Sequence, residues 1–161
     1  MSSPNQSVTS DRLYLEDLHV GQRFTSGSLE LDEEQIKAFA RQFDPQPFHL
    51  DPEAAGKTFF GSLAASGWHT AAITMRLLVE GLPLAGGLIG GGGEITWPRP
   101  TRPGAILHVE SEVVEVTPSR SRPERGMATF RSETINQFGE VVQVLTSKMV
   151  VLRRTAPLRS E

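Results

Sequence analysis

Between Ser66 and Glu80 the chain carries Trp68, Ala71, Ala72, Met75, Leu78 and Val79 at three- and four-residue spacing, with Arg76 and Glu80 as the only charges. That period predicts a helix, and a helix apolar on most sides must be buried by other elements. The sequence that follows supplies the cover. Beyond Gly86 it turns to glycine, β-branched residues and alternation, and Ile95 to Trp97, Ile106 to Thr117, Met127 to Asn136 and Val141 to Arg153 read as four strands. Pro98-Arg99-Pro100 and Arg102-Pro103-Gly104 break the first pair, Pro118 to Gly126 is a long Arg-rich connection, and Asn136-Gln137-Phe138-Gly139 is a hairpin turn. One long buried helix ahead of antiparallel strands is an α+β arrangement, most simply a sheet wrapped round that helix.

Upstream, Phe24 to Leu31 alternates loosely and reads as a first strand ending at Asp32. Asp32 with Gln35 three residues on forms a capping box for a helix, Glu33 to Gln42, which delivers the chain to Asp44. Asp51 to Gly56 is a short capped helix with Pro52 at its first position, and Thr58 to Leu63 is a loop. Residues 1–12 are polar and read as a disordered arm, 13–154 as a single domain, and 155–161 as a flexible tail.

Charge is scattered, with a net value of −3 and no like-charge block, which argues against nucleic acid or a membrane as partner. Cysteine is absent, excluding disulfides, thiolate metal sites and a Cys nucleophile. No His or carboxylate cluster has metal-ligand spacing, so no metal is expected. The polar N-terminus lacks the apolar core of a secretory signal, and a cytoplasmic location is the expectation.

The chemistry concentrates in Phe43-Asp44-Pro45-Gln46-Pro47-Phe48-His49-Leu50-Asp51-Pro52. Two prolines between Asp44 and His49 forbid a regular helix there and predict a bent, extended loop that can aim both side chains at one point. An Asp and a His in one pocket suit proton transfer near neutral pH. A plain surface turn, with Asp44 capping its own backbone and His49 exposed, is the alternative. Two features favour the pocket. Phe43, Phe48 and Leu50 interleave the polar residues, and Ser66-Gly67 opens a helix whose first N–H groups are unpaired and partly positive. Gly67 leaves room for a carbonyl to approach that amide.

Asp44-Pro45-Gln46-Pro47-Phe48-His49, Leu50-Asp51-Pro52-Glu53-Ala54-Ala55, Ala65-Ser66-Gly67-Trp68-His69-Thr70, Trp97-Pro98-Arg99-Pro100 and Pro103-Gly104 resemble the MaoC-type dehydratases, the (R)-specific enoyl-CoA hydratases, over roughly Tyr14 to Leu152. The resemblance implies a hot-dog fold, a homodimer or higher homo-oligomer, and reversible hydration of a 2-enoyl-CoA to a 3-hydroxyacyl-CoA. It implies no cofactor beyond the CoA that the acyl thioester substrate carries. Asp44 and His49 are then the dyad that activates one water, and the Gly67 N–H holds the thioester oxygen. Pro47, Phe48, Ser66, Trp68 and Arg99 are the expected substrate-binding residues. Some relatives carry a Ser eight residues beyond this Gly that helps hold the Asp. Met75 stands there, so another group or backbone holds Asp44, or activity is weaker than the motif suggests; a non-catalytic acyl-CoA-binding module, which Met75 favours, and an acyl-CoA thioesterase are the alternatives.

Three further features have bland readings beside functional ones. His69, in the first turn of the helix, is expected to be structural. Gly86-Gly87 and Gly90 to Gly93 lack the Lys-Ser/Thr of a phosphate loop and are expected to form a flexible bend, a mobile rim of the tunnel. Arg99, Arg102, Arg120, Arg122 and Arg125 either meet CoA phosphates or are solvated.

Overall fold

Alternation along the C-terminal half sets the architecture. The computed structural model describes residues 12–154, so the expected arm, apart from Arg12, and the expected tail lie outside the described residues. Strands β1 (Arg23–Thr25) and β2 (Leu29–Leu31) precede helices α1 (Glu33–Phe43), α2 (Pro47–Leu50), α3 (Pro52–Ala55) and α4 (Gly67–Gly81). Strands β3 (Ile89–Thr96), β4 (Ala105–Pro118), β5 (Arg125–Ile135) and β6 (Val141–Leu152) follow. All pair antiparallel in the order β1-β4-β5-β6-β3, with β2 beside the start of β4.

In β4 the side chains of Ala105, Leu107, Val109, Ser111 and Val113 are buried while their neighbours are not, the period-two signature of a sheet with one covered face. The cover is α4, whose Ile73, Leu77 and Leu78 join Leu107, Val109, Val113, Ala128, Phe130, Met149 and Val151 in one core. Ile36 of α1 closes its edge. This is the hot-dog arrangement that the sequence implied.

Three expectations are corrected. The helix is not buried all round: Trp68, Met75 and Val79 are 62%, 45% and 58% exposed, and together they form an apolar stripe opposite the buried face. The first strand is split in two, because at Ser26 the hydroxyl accepts the Val109 N–H at 2.7 Å and donates to Gly27 O at 2.7 Å, ending the regular ladder. The glycine run is not a loose bend. Gly90 to Gly93 lie within β3, paired with β6 around a bulge, and a Cβ on Gly93 would collide with the Thr146 carbonyl oxygen. Glycine there serves close backbone approach.

Phe130 of β5 is fully buried in this core, beside Phe24. Its replacement by Ala should lower unfolding free energy by about 3–5 kcal/mol in a urea titration, from lost transfer energy and the cavity left behind; a loss below about 1 kcal/mol would contradict this placement of the core.

Candidate active site

Proline punctuation builds the site. Pro45 disfavours helical backbone at Asp44, so α1 ends at Phe43 with Asp44 as its C-cap. Pro47 then occupies the first position of α2, where its missing N–H costs nothing. The expectation of an extended loop is corrected here: two prolines forbid one continuous helix, but the second starts a new turn, and His49 sits on that turn. A backbone bond from Ala64 N–H to Phe48 O (3.1 Å) ties this turn to the chain entering α4, and one from Ala65 N–H to Thr101 O (2.8 Å) ties that chain to the segment before β4.

His49 is 4% exposed. Its Nδ1 lies 2.6 Å from the Ala64 carbonyl oxygen, and its Nε2 lies 3.2 Å from Asp44 Oδ2. A carbonyl can only accept, so Nδ1 carries a proton. The Nε2 position is then the variable one, facing the carboxylate. Asp44 Oδ1 accepts from the Gln46 amide at 2.6 Å. Burial pushes the Asp44 carboxyl up, but hydrogen bonds from Gln46 and the Ser66 hydroxyl, with the His49 ring beside it, outweigh that and leave it below the usual carboxylate value. The side-chain donor observed on Asp44 is therefore Gln46, two residues on. Met75 is on the exposed stripe.

Ser66 is fully buried and is the N-cap of α4. Its Oγ accepts the Trp68 N–H at 3.2 Å, and the same hydroxyl is one of the groups that lower the Asp44 pKa. The Gly67 N–H, at the first helical position, has no hydrogen-bond partner among the described residues. The structure adds a further reason for glycine there. A Cβ on Gly67 would lie 2.7 Å from Cε2 and 2.9 Å from Cζ2 of Trp97, so the space belongs to the indole.

Asp44, Phe48, His49, Gly67, Trp68 and Arg99 all line one open cavity of about 780 Å³. Pro47 and Ser66 do not line it: Pro47 is exposed and acts through the turn it opens, and Ser66 acts through Asp44 and the helix cap. Arg99 is paired with Glu140 at 2.8 Å. Arg102 donates to the carbonyls of Phe60 (2.7 Å) and Ser62 (2.9 Å), which makes it a brace for the 60–63 loop rather than a solvated charge. His69 stacks on Phe39 at 4.5 Å between centroids, away from the cavity lining, consistent with the structural role expected. Sequence reasoning missed Gln46, Trp97 and Gln143. Gln46 stood between the two prolines, one turn residue from the acid, and that spacing was the available signal.

The family model for the MaoC-like domain matches residues 17–135. The chain belongs to the MaoC-like dehydratase family. The chain is 63% identical to a MaoC-like dehydratase from Rhodospirillum rubrum, with a TM-score of 0.88 over 89% of this chain and 99% of that one. It is 33% identical over 137 residues to a 3-hydroxybutyryl-CoA dehydratase of Methylorubrum extorquens, covering 84% of this MaoC-like chain and 86% of the relative. The R-hydratase PhaJ1 from Pseudomonas aeruginosa superposes with a TM-score of 0.68 at 26% identity, over 93% and 96% of the two chains.

Burial lowers the His69 pKa below the ordinary histidine value, and its Nδ1 is buried without a partner. Between the folded value and about 6.5 the unfolded chain therefore binds more protons, and stability from this group, full above about pH 6.5, is lost as pH falls through the folded value. The melting temperature should decline from pH 7 to pH 5 more steeply in the parent than in His69→Leu; equal slopes would contradict the assignment.

Proposed function

We propose that this MaoC-like protein catalyses reversible hydration of a 2-enoyl-CoA to a 3-hydroxyacyl-CoA, using the Asp44–His49 pair and the Gly67 amide. The observation that carries this reading is the commitment of His49 Nδ1 to a carbonyl, which leaves one proton to be shared between Nε2 and Asp44 in a cavity that also holds a free helix-terminal N–H.

The proton inventory gives the roles. A carboxylate held below its usual pKa remains ionised and accepts, so Asp44 takes a proton from water as the oxygen adds to C3. Electrons move from the C2–C3 double bond to the thioester oxygen, which the Gly67 N–H stabilises; one such donor contributes about 3 kcal/mol. His49 in its imidazolium form gives the Nε2 proton to C2. Asp44 is then protonated and His49 neutral, and proton transfer across their 3.2 Å contact restores the starting pair. Dehydration runs the same steps in reverse.

Phe48, Trp68 and Trp97 provide apolar walls for the acyl or pantetheine chain, and Arg99, with its side chain 60% exposed at the cavity wall, is assigned to a CoA phosphate. No cofactor beyond CoA is invoked. The reading is supported by the family match and by the relative named as a 3-hydroxybutyryl-CoA dehydratase. The non-catalytic alternative draws on Met75, and Asp44 accepts from Gln46 instead.

Asp44→Asn and His49→Ala should each lower turnover of crotonyl-CoA by about three orders of magnitude or more while circular dichroism stays native. An unchanged rate in either folded variant would defeat the mechanism. Release of free CoA rather than a 3-hydroxyacyl thioester would identify hydrolysis instead.

The exposed Trp68, Met75 and Val79 stripe and the free edge of β3 support assembly with a second copy of this chain. Sedimentation should give at least twice the chain mass, and Val79→Arg should shift it toward one; a parent that sediments as a single chain would rule this out.

A further inference from the structure

We propose that Trp97 is a positioning residue for the Gly67 amide, locked in place by Gln143 and Thr74; this rests on the hydratase reading of the site.

Gly67 has no side chain with which to anchor its own peptide, and the indole of Trp97 fills the space beside its Cα. Trp97 follows the last residue of the edge strand β3, is 40% exposed and meets Trp68 edge-on, so its ring has two rotatable bonds and water on one side. Its Nε1–H, however, donates to Gln143 Oε1 at 3.0 Å. Gln143 is fully buried in β6, opposite Thr134 of β5. A buried amide is costly unless both of its ends are bonded, and an apolar side chain would fill that place without the cost.

Both ends are bonded, and their polarity is fixed. The Thr74 hydroxyl donates to Thr70 O at 2.8 Å, so toward its other neighbours it can only accept. It accepts from Gln143 Nε2 at 3.0 Å and from the Thr134 hydroxyl at 2.6 Å. Gln143 must therefore point its nitrogen at Thr74 and its oxygen at Trp97, where an indole, which only donates, completes the chain. Thr74 lies two turns along the same helix whose first N–H belongs to Gly67. The relay thus ties the indole to the helix it covers through β6, and Thr134 extends the tie to β5. The Gly67 peptide is held from the helix side by the Ser66 cap and from the cavity side by Trp97.

Trp97→Phe keeps a ring over Gly67 but removes the donor; Gln143→Leu keeps the indole and removes its acceptor. In folded protein each should lower kcat for crotonyl-CoA about tenfold with KM changed less than about twofold, since the loss is felt where charge develops on the oxygen. The double variant should be no slower than the slower single, because both act through one contact. The Gly67 amide resonance in a ¹H–¹⁵N spectrum should move in both variants. Full kcat, multiplicative losses, or a raised KM with kcat intact would overturn the proposal. Should Gln143→Leu fail to fold, Trp97→Phe, on the half-exposed side, decides by the same readouts. If the parent protein does not hydrate crotonyl-CoA at all, the reaction is refuted but the positioning is not, and an unmoved Gly67 resonance then overturns the latter.

Discussion

The 2.6 Å hydrogen bond from His49 Nδ1 to the Ala64 carbonyl is the constraint on which the site depends. It fixes the tautomer, sets the ring plane and directs Nε2 at Asp44. The reverse bond, from Ala64 N–H to Phe48 O, makes the link two-way, so the turn bearing the histidine and the segment entering α4 move as one piece. Since that segment also carries Ser66 and Gly67, the two bonds relate the Asp44–His49 pair to the Gly67 amide. Preorganisation of this kind lets donors act on developing charge without rearranging during the reaction.

Asp44 shows how competing effects are balanced. Burial by itself favours the neutral acid, which could not serve as a base. Gln46 and Ser66 supply donors to the carboxylate, and His49 sits beside it, which keeps it charged in a partly buried place. Ser66 serves twice, because its hydroxyl lowers the Asp44 pKa while its lone pair caps the helix. The cap occupies the Trp68 N–H and leaves that of Gly67 unpartnered, which is what an anion site at a helix start needs.

Much of this was legible in the residues. The capping box at Asp32 and Gln35 forms as expected, and β4, β5 and β6 fall close to their expected spans, because periodicity and local capping are short-range properties. Convergence of Asp44, His49 and Gly67 followed from proline placement and the resemblance to MaoC-type dehydratases. Long-range contacts were not legible. Nothing local announces that Gln143 turns inward to meet Thr74 and Trp97, or that Gly93 must clear the Thr146 carbonyl. The exposed stripe of α4 was misread for a related reason: period alone says that a helix is apolar, not which neighbours cover it. Pro47 was misread because proline is compatible with a helix start as well as with a bend.

The central claim is that one water and one thioester oxygen are held between Asp44, His49 and the Gly67 amide. A crystal structure with a bound 3-hydroxyacyl-CoA tests it most directly. The account predicts the thioester oxygen within about 3 Å of the Gly67 nitrogen and the 3-hydroxyl within hydrogen-bonding distance of both Asp44 and His49. A thioester oxygen bound elsewhere, or a 3-hydroxyl remote from the pair, would contradict it.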